Sequence, residues 1–462
     1  MASVGVSVVV ALATLIVLIM LQQPIAFALA TSGVLGLVLL EGPSFVSQMI
    51  ARVSFLSVSS FTLVILPLFI LMGTFVREGR MASDSFRVLS RMVGRFPGGL
   101  GIASIGACSL FAAVSGSSAA TVASVGRISM DEMLKYGYDK RLAAGIVGAA
   151  GTLGVLIPPS VVLVLFGIVT GESIGDLLIA GIIPGMLSGA MYVFVVVYRA
   201  KRTERITTKR ARLHSDAPSA DRASKQGTVD SRQGELNETP AGSYWGVLQV
   251  VVLGSLVIGG IYSGIFTATE AAGVGALVAG LMMVLDVRGR QGHGLRRQLT
   301  LAWSDAASSS SMVLGLIIGG GIFSHFIVLS GIARDFSVWV SDLNVPPGVV
   351  VVLILLAFIP MGMALDGLSM LLIAVPLTYP AVVELGFDGV WYGIMVVKMI
   401  EIGLITPPVG MNAFVVAGVS KDITIDDAFR GAFWFVPVDL LTIAILFVFP
   451  ELVTWLPSVM RP

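Results

Sequence analysis

The stretch Ala113-Val-Ser-Gly-Ser-Ser-Ala-Ala-Thr121 places hydroxyl side chains and a glycine in the middle of an apolar segment. Farther along, Ile157-Pro158-Pro159-Ser160 interrupts a second apolar segment. A proline removes a backbone donor and disfavours helix in the residue before it. Unpaired backbone groups are costly in lipid, so a break there must be buried in protein or line a cavity. Together the two motifs predict the tip of a helical hairpin followed by a discontinuous helix.

A second copy of this pattern lies in the other half of the chain. Asp366-Gly-Leu-Ser369 stands where the first half has its hydroxyl-rich tip. Thr406-Pro407-Pro408, followed by Gly410 and Asn412, stands where the first half has its proline pair. The same order at similar spacing predicts an internal repeat, which is a frequent basis of transporter folds.

Composition supports a membrane protein of many helices. Of 462 residues, 56% are hydrophobic and 12% are charged, whereas soluble proteins carry about 25% charged residues. Apolar runs of about 18 residues or more recur, long enough to cross a bilayer. A net charge of +1 argues against nucleic acid as a partner. Cys108 is the single cysteine of the sequence, which excludes an intramolecular disulfide.

We therefore expect an all-α polytopic membrane protein of two inverted-topology repeats, each with a re-entrant helical hairpin and a discontinuous helix. Repeat A covers residues 1–198, with its hairpin at about 98–126 and its broken helix at about 142–170. Repeat B covers residues 244–462, with its hairpin at about 348–385 and its broken helix at about 391–419. The other crossings are expected at 4–22, 24–40, 60–76, 177–198, 244–264, 267–285, 302–329 and 432–450, and polar arms at 77–95 and 331–345. Five crossings per half is an odd number, so the second repeat must be inverted in the membrane.

The distribution of basic residues tests this topology. Residues 199–243 form a polar segment, expected to be a poorly ordered cytoplasmic linker. With the linker in the cytoplasm, 25 of the 29 Lys and Arg side chains fall on the cytoplasmic side. The exceptions are Arg52, Arg334, Lys398 and Arg461. Both chain termini should then lie outside.

The hydroxyl-rich tip and the proline pairs are also candidate binding elements. A hairpin tip frees backbone N–H groups for an anion and carbonyl groups for a cation. Ser115 to Ser118 therefore form a candidate substrate site, although a packing stripe of small residues would look similar. The carbonyl, hydroxyl and amide oxygens around Pro158, Thr406 and Asn412 suit a cation such as Na⁺, the alternative being simple helix kinks.

Acidic residues inside apolar segments are costly and therefore informative. Asp366 is expected to be a site residue at the second tip. Glu401 follows Lys398 by three residues, so the two are expected to pair on one helical face. Glu270 is expected near a helix start, after the polar turn Thr267-Ala-Thr269.

Five stretches together resemble the large membrane subunit of the tripartite ATP-independent periplasmic (TRAP) transporters, in the ion-transporter superfamily. They are Pro24-Ile-Ala-Phe-Ala-Leu29, Ser115-Gly-Ser-Ser-Ala-Ala-Thr121, Ile157-Pro-Pro-Ser160, Gly264-Ile-Phe-Thr-Ala-Thr-Glu-Ala-Ala272 and Glu401-Ile-Gly-Leu-Ile-Thr-Pro-Pro-Val-Gly-Met-Asn412. The resemblance implies a sodium-driven importer of small organic acids, such as C4-dicarboxylates or sialic acid, that works by an elevator movement in a bacterial inner membrane. Na⁺ would be the coupling ion. The implied partners are a small four-helix membrane subunit, expected as a separate chain, and a periplasmic substrate-binding protein.

The resemblance also assigns roles to individual residues. Substrate-binding positions carried over from the family are Ser115, Gly116, Ser117, Ser118, Asp366 and Ser369. Sodium-binding positions are Ser115, Pro158, Asp366, Thr406, Gly410 and Asn412, with Pro159, Pro407 and Pro408 at the same helix breaks. Ala374 stands before Val375-Pro376 where the family often has Thr, which puts an oxygen ligand at that position in doubt.

Two rival functions are weighed against this one. A stand-alone sodium–dicarboxylate symporter would need no binding protein. An intramembrane hydrolase would need a protease motif, but Ala113-Val-Ser115-Gly116 lacks the Gly-x-Ser-Gly form and Ala364-Leu-Asp366 lacks Gly-x-Gly-Asp. Because nucleophile activation requires a base within reach, we expect the protein not to be an enzyme.

Overall fold

The computed structural model describes residues 4–79, 81–215, 244–288, 294–342 and 345–460. The α-helices are α1 (Val4–Met20), α2 (Ile25–Glu41), α3 (Pro43–Val58), α4 (Ile65–Glu78), α5 (Met81–Val93), α6 (Gly99–Ser115), α7 (Ser118–Lys135), α8 (Lys140–Leu156), α9 (Val161–Thr170), α10 (Ile174–Ala180), α11 (Ile182–Ser215), α12 (Tyr244–Tyr262), α13 (Ala268–Arg288), α14 (Leu295–Leu329), α15 (Ile332–Ser341), α16 (Pro347–Gly362), α17 (Gly367–Glu384), α18 (Gly389–Ile405), α19 (Met411–Val419), α20 (Ile425–Ala432), α21 (Val436–Val448) and α22 (Glu451–Met460). A 3-10 turn, Phe61–Val64, leads into α4. The described residues contain no strand, which confirms the predicted all-α fold class.

Apolar helices long enough to cross a bilayer dominate the described part of the chain. By length and composition, seven helical stretches qualify, and α8 with α9 forms an eighth candidate that bends by 41° at its break. The apolar helices α1 and α2 have 17 residues each. At 1.5 Å per residue they are about 26 Å long, close to the thickness of the hydrocarbon core. The chain is therefore a multi-pass membrane protein.

One group of helices packs around α14, which is 35 residues long. α14 packs against α2, α3 and α4; α13 packs against α4 and α12, and α1 against α2. The approach of α14 to α2 is close, because a Cβ atom at Gly319 would lie 2.2 Å from the carbonyl oxygen of Ala26. Small residues at helix contacts allow such close packing in membranes. We call α1–α4 and α12–α14 the scaffold helices.

The second group of helices is built around the two broken helices. α8 packs against the α6–α7 pair and α20, and α18 packs against the α16–α17 pair and α21. The two broken helices also contact each other through α8 and α18. We call α6–α11 and α16–α22 the core helices. The short helices α5 and α15 lie between the groups, since α5 packs against α6 and α12, and α15 against α17 and α14.

The order of elements is alike in the two halves of the chain. A candidate membrane span, a further helix, a helix pair and a broken helix follow one another in each half, as α4–α9 with the 3-10 turn before α4 in the first and as α14–α19 in the second. Both broken helices start at an aspartate cap: Asp139 accepts a hydrogen bond from the backbone nitrogen of Leu142 at 3.2 Å, and Asp388 from that of Trp391 at 2.7 Å. Inversion of one half relative to the other stays a prediction.

Several helices are longer than predicted. α11 runs on to Ser215 rather than ending at 198, because Arg, Lys, Ala and Glu, which dominate residues 199–215, are good helix formers and no proline intervenes. The predicted loop at 199–243 is therefore wrong over its first part, and residues 216–243 lie outside the described residues. α7 continues past 126 to Lys135 for the same reason, and α14 begins at Leu295 rather than 302.

The sequence analysis predicts no helix where the structure has α3 and α22. α3, Pro43–Val58, mixes Ser, Gln and Arg with apolar residues, so its low hydropathy hid it from a search for membrane spans. The polar turn before α13 is a helix start, as expected. Glu270 accepts from the backbone nitrogen of Thr267 at 2.8 Å, and the Thr267 hydroxyl accepts from the backbone nitrogen of Glu270 at 3.3 Å. This reciprocal pair caps the first turn of α13.

Candidate functional site

The first helix pair turns at the hydroxyl-rich tip. α6 ends at Ser115, Gly116 adopts a left-handed conformation with φ 60°, and Ser117 caps α7 by accepting from the backbone nitrogen of Ala120 at 3.4 Å. The hydroxyl of Thr121 donates to the carbonyl oxygen of Ser117 at 2.7 Å and lies 3.1 Å from Oγ of Ser115. Since Thr121 has one hydroxyl proton, Ser115 is the donor of the second bond. The lone pairs of Ser115 Oγ are left available to a ligand.

The first helix break lies directly against this tip. α8 ends at Leu156, the Pro158–Pro159 peptide is cis, and Ser160 caps α9 by accepting from the backbone nitrogen of Leu163 at 3.2 Å. A Cβ atom at Gly116 would lie 2.7 Å from the carbonyl oxygen of Pro159. A glycine is therefore required at this position for two reasons: its φ is positive, and a side chain would clash with the first helix break.

The second helix pair turns at Asp366. Its carboxylate caps α17, accepting from the backbone nitrogens of Leu368 at 3.1 Å and Ser369 at 3.3 Å, and from the hydroxyl of Ser369. Ser369 is fully buried, whereas Asp366 is partly exposed. Asp366 therefore holds the start of α17 in place and keeps part of its carboxylate open.

The second helix break follows α18. The Thr406 hydroxyl donates to the carbonyl oxygen of Ile402 at 2.5 Å, the Pro407–Pro408 peptide is cis, and Gly410 has φ 48° before α19 begins. Asn412, in the first turn of α19, is fully buried. Its Oδ1 atom accepts no hydrogen bond from any of the described residues.

Contacts join the two tips and the two breaks across the halves of the chain. Nδ2 of Asn412 donates to Oγ of Ser118 in the first pair and, at 3.5 Å, to the carbonyl oxygen of Gly148 in α8. In the other direction, α17 of the second pair packs against α9. Each helix pair thus contacts both its own broken helix and the final part of the other one.

The N-terminus of α9 lies close to both tips. A Cβ atom at Gly116 would lie 3.2 Å from the backbone nitrogen of Val161, and one at Gly367 would lie 4.0 Å from Cγ2 of Val162. The first N–H groups of a helix have no partner within it, and they carry the positive end of the helix dipole. The positive end of the α9 dipole therefore lies directly beside the first tip and near the second.

The structure places most of the predicted site residues in two contact networks, one at each tip. Ser115, Gly116, Ser117, Ser118 and Asn412 belong to one contact network, and Asp366 and Ser369 to a second one at the other tip. Pro158 instead lines a small apolar cavity between α10 and α12, with Leu178 and Val257. Thr406 and Gly410 are placed at the second break, where a Cβ atom at Gly410 would lie 2.8 Å from the carbonyl oxygen of Thr406.

Sequence reasoning missed two participants. Thr121 orients Ser115 and is fully buried, and a hydroxyl residue one helical turn after the tip was the available signal. Gly148 contributes a backbone oxygen, which no side-chain motif reveals.

The sequence of the chain is similar to that of a known family of membrane proteins. The sequence profile of the family described as "Tripartite ATP-independent periplasmic transporter, DctM component" matches residues 12–452. The "C4-dicarboxylate TRAP transporter large permease protein DctM" of Pseudomonas aeruginosa is 34% identical over 432 residues, covering 94% of this chain and 92% of that protein. The protein of the same description from Vibrio cholerae is 33% identical, covering 95% of this chain and 94% of that protein.

A solved structure supports the fold. The YdaH transporter of Alcanivorax borkumensis matches with a TM-score of 0.59 at 15% identity, covering 91% of this chain and 90% of that one. The curated relatives are named as transporter permeases and not as enzymes, so the prediction of a transporter is confirmed over that of a hydrolase. The chain belongs to the family of large membrane permease subunits, the DctM components, of the TRAP transporters.

Proposed function

We propose that this chain is the substrate-translocating subunit of a sodium-driven importer of small organic acids, with C4-dicarboxylates as the first candidates. The observation that carries the proposal is that the first helix-pair tip contacts both helix breaks, the second through Asn412 with Ser118 and the first through Gly116 with Pro159. Interrupted helices at membrane depth are characteristic of substrate and ion sites in secondary transporters.

A carboxylate substrate fits the electrostatics of this region. Helices α7, α9, α17 and α19 all begin there, at Ser118, Val161, Gly367 and Met411. Their first N–H groups favour a negative group. Ser117 and Ser118 add hydroxyl groups at the first tip, and Ser369 adds one at the second. The P. aeruginosa and V. cholerae relatives are both named for C4-dicarboxylates, which supports the same class here.

Sodium as the co-transported ion fits the oxygen atoms available. Na⁺ is a hard cation that takes oxygen ligands. The candidates are Ser115 Oγ, with open lone pairs, and Asn412 Oδ1, which accepts no hydrogen bond from the described residues. The backbone carbonyls around Pro158, Thr406 and Gly410 add oxygens at the breaks, and Asp366 supplies a negative charge. A buried amide oxygen that accepts no hydrogen bond is costly unless a ligand satisfies it.

The movement would be that of an elevator. The helix pairs and broken helices pack with one another as the core helices, while α14 organises the scaffold helices. Contacts between the groups are made along α4, α12 and α14 and through the intervening α5 and α15. Sliding of the core against the scaffold would carry the tips and breaks together, and with them the bound substrate.

The proposed partners and location follow from the family. A small four-helix membrane subunit would pair with this chain in a bacterial inner membrane, and a periplasmic binding protein would deliver the substrate. The charge distribution in the sequence supports this arrangement, because it assigns the long polar segment 199–243 to the cytoplasm and leaves capture of the substrate to another protein.

Reconstitution tests the proposal and separates it from a stand-alone symporter. The purified chain is placed in liposomes with an inward Na⁺ gradient, and uptake of labelled succinate is measured with and without the small subunit and the cognate binding protein. Uptake is expected when all three proteins are present, and replacement of Na⁺ by K⁺ should abolish it. Uptake by the chain without its partners would instead establish the symporter, and uptake unaffected by K⁺ would remove sodium coupling.

A further inference from the structure

A fully buried group of charged side chains lies behind the second helix break. Nζ of Lys398 donates to Oε2 of Glu401 at 2.7 Å and to Oδ1 of Asp439 at 2.6 Å. The hydroxyl of Tyr192 donates to the same Oδ1 atom at 2.6 Å, and Thr152 Oγ1 lies 3.3 Å from that hydroxyl. All five side chains have no exposed surface. The group joins α8, α11, α18 and α21, and therefore both halves of the chain.

The charges of this group do not balance. One ammonium faces two carboxyl groups, so full ionisation would leave a net charge of −1 with no access to water. Oε1 of Glu401 and Oδ2 of Asp439 accept no hydrogen bond from any of the described residues. A buried charge without compensation is among the costliest arrangements in a membrane protein.

We propose that the Lys398–Glu401–Asp439 group is a proton-binding site, with one proton held on the carboxyl of Glu401. The bound proton makes the group neutral, because Lys398 is then paired with the single carboxylate of Asp439. Asp439 accepts hydrogen bonds from both Lys398 and Tyr192. Glu401 accepts from Lys398 only among the described residues, so it is the carboxyl with less support for its ionised form.

A proton fits this place better than a metal cation does. Two oxygens without partners are too few to coordinate Na⁺ or a divalent ion, and the ammonium of Lys398 between the carboxyls would repel a second cation. No group of three or more His, Cys, Asp or Glu side chains arranged to hold a metal occurs among the described residues. A proton needs one oxygen and no cavity.

The surroundings of α18 supply no further charge to this group. Helices α9, α16 and α19, which pack against α18, have no titratable residue in their sequences. The other helices packed against α18, and α18 itself, carry further titratable side chains outside the group. Each of these has another partner, or lies at a helix end or on the surface. They are Lys140, Arg141, Asp176, Tyr379, Glu384, Tyr392 and Glu451. Protonation of Glu401 is therefore governed by Lys398, Asp439 and Tyr192.

Infrared spectroscopy of the purified chain in lipid tests the proposal directly. A protonated carboxyl absorbs at its own carbonyl frequency, which ionised carboxylates lack. At neutral pH the wild-type chain should show this band, and Glu401→Gln, which copies the shape of the neutral carboxyl, should lose it. Asp305→Asn removes a partly exposed carboxylate paired with Arg77 and serves as the control that keeps the band.

A second variant protects the test against misfolding of the first. Lys398→Gln leaves the two carboxyls without a cation, so both should be protonated and the band should grow about twofold. Absence of a protonated-carboxyl band in the wild-type chain at neutral pH would overturn the proposal. So would a band that is unchanged in a folded Glu401→Gln variant, or one that stays constant in Lys398→Gln.

Discussion

The side-chain amide of Asn412 donates a hydrogen bond to the hydroxyl of Ser118, a residue 294 positions earlier in the chain. This bond ties the second helix break to the first helix pair. It also leaves Oδ1 of Asn412 buried and without a partner among the described residues. The two roles of Asn412, holding the halves together and offering an oxygen, predict different effects for substitutions of the two bonded residues.

Asn412→Ala should raise the Na⁺ concentration needed for half-maximal uptake about tenfold or more, because it removes the open oxygen. Ser118→Ala should raise that concentration less. Both should lower stability, and a double-mutant cycle on thermal unfolding should give a coupling of about 0.6 kcal/mol, typical of polar pairs between membrane helices. The Na⁺ response is read from uptake by the complete system. Equal Na⁺ responses in Asn412→Ala and the wild type would exclude Asn412 as a sodium ligand.

Asp366 allows the capping role to be separated from the ligand role. Asn caps a helix about as well as Asp, while Ala does not and costs about 1 kcal/mol. Asp366→Asn should therefore keep the thermal stability of the wild type but lose sodium-driven uptake, since the negative charge is gone. Asp366→Ala should lose both. Normal uptake by Asp366→Asn would reduce Asp366 to a structural cap.

Much of this site was readable from the sequence, and the rest was not, for physical reasons. Small residues and proline pairs inside apolar segments predict interrupted helices. Unpaired backbone groups are costly in lipid, so such breaks are expected where the chain lines a binding site or cavity. Lys398 and Glu401 are three residues apart, so their pairing followed from helical periodicity, and the structure shows it at 2.7 Å. Asp439 is 41 residues from Lys398, and local periodicity carries no information on such contacts.

The same limit applies to the element boundaries. Helix α11 extends to Ser215 because its polar residues happen to be good helix formers, so polarity was a poor guide to where the helix ends. α3 is too polar to register as a membrane span. Hydropathy finds lipid-exposed apolar helices well, but it does not detect helices that are partly buried against protein or that continue into water.

Gly116 should tolerate no side chain. Its φ of 60° costs about 1–2 kcal/mol for an L-residue, and a Cβ atom would lie 2.7 Å from the carbonyl oxygen of Pro159. Gly116→Ala should therefore lower the unfolding temperature and abolish most uptake, because the tip is forced away from the break. The matched control is Gly254→Ala in α12, where a Cβ atom meets nothing within 4 Å. Equal uptake by the two variants would show that contact of the tip with the break is not required.

The topology predicted from the basic residues can be checked by thiol labelling in whole cells. Single cysteines are introduced at Ser3, Ser219 and Ser458 in a Cys108→Ala background, which removes the buried native thiol. Ser3 and Ser219 lie outside the described residues, so labelling reports on parts of the chain for which sequence is the sole guide. An impermeant reagent should label the cysteines at positions 3 and 458 and spare the one at 219. Labelling at 219 with none at 3 would reverse the topology.

An elevator movement predicts that cross-links within the scaffold are harmless and that cross-links between scaffold and core stop transport. Gly320 of scaffold helix α14 faces Leu372 of core helix α17, and a Cβ atom at Gly320 would lie 3.0 Å from Cβ of Leu372. Cβ atoms of a disulfide are about 3.5–4.5 Å apart, so a shift of a few tenths of an ångström accommodates a bond in Gly320→Cys/Leu372→Cys. The bond should lock the chain and abolish uptake, and a reducing agent should restore it.

The control for this experiment lies entirely within the scaffold. A Cβ atom at Gly315 of α14 would lie 3.9 Å from Cβ of Ala26 in α2, which suits a disulfide in Ala26→Cys/Gly315→Cys without any shift. Because both helices would stay still during an elevator movement, this cross-link should form without changing uptake. The cross-linked variant and the same variant after reduction of the disulfide should take up substrate at the same rate. Both pairs are made in the Cys108→Ala background, and cross-linking is scored by labelling of the remaining free thiols. Full uptake with the Gly320–Leu372 pair cross-linked would show that α17 does not move against α14, and the elevator proposal would fail.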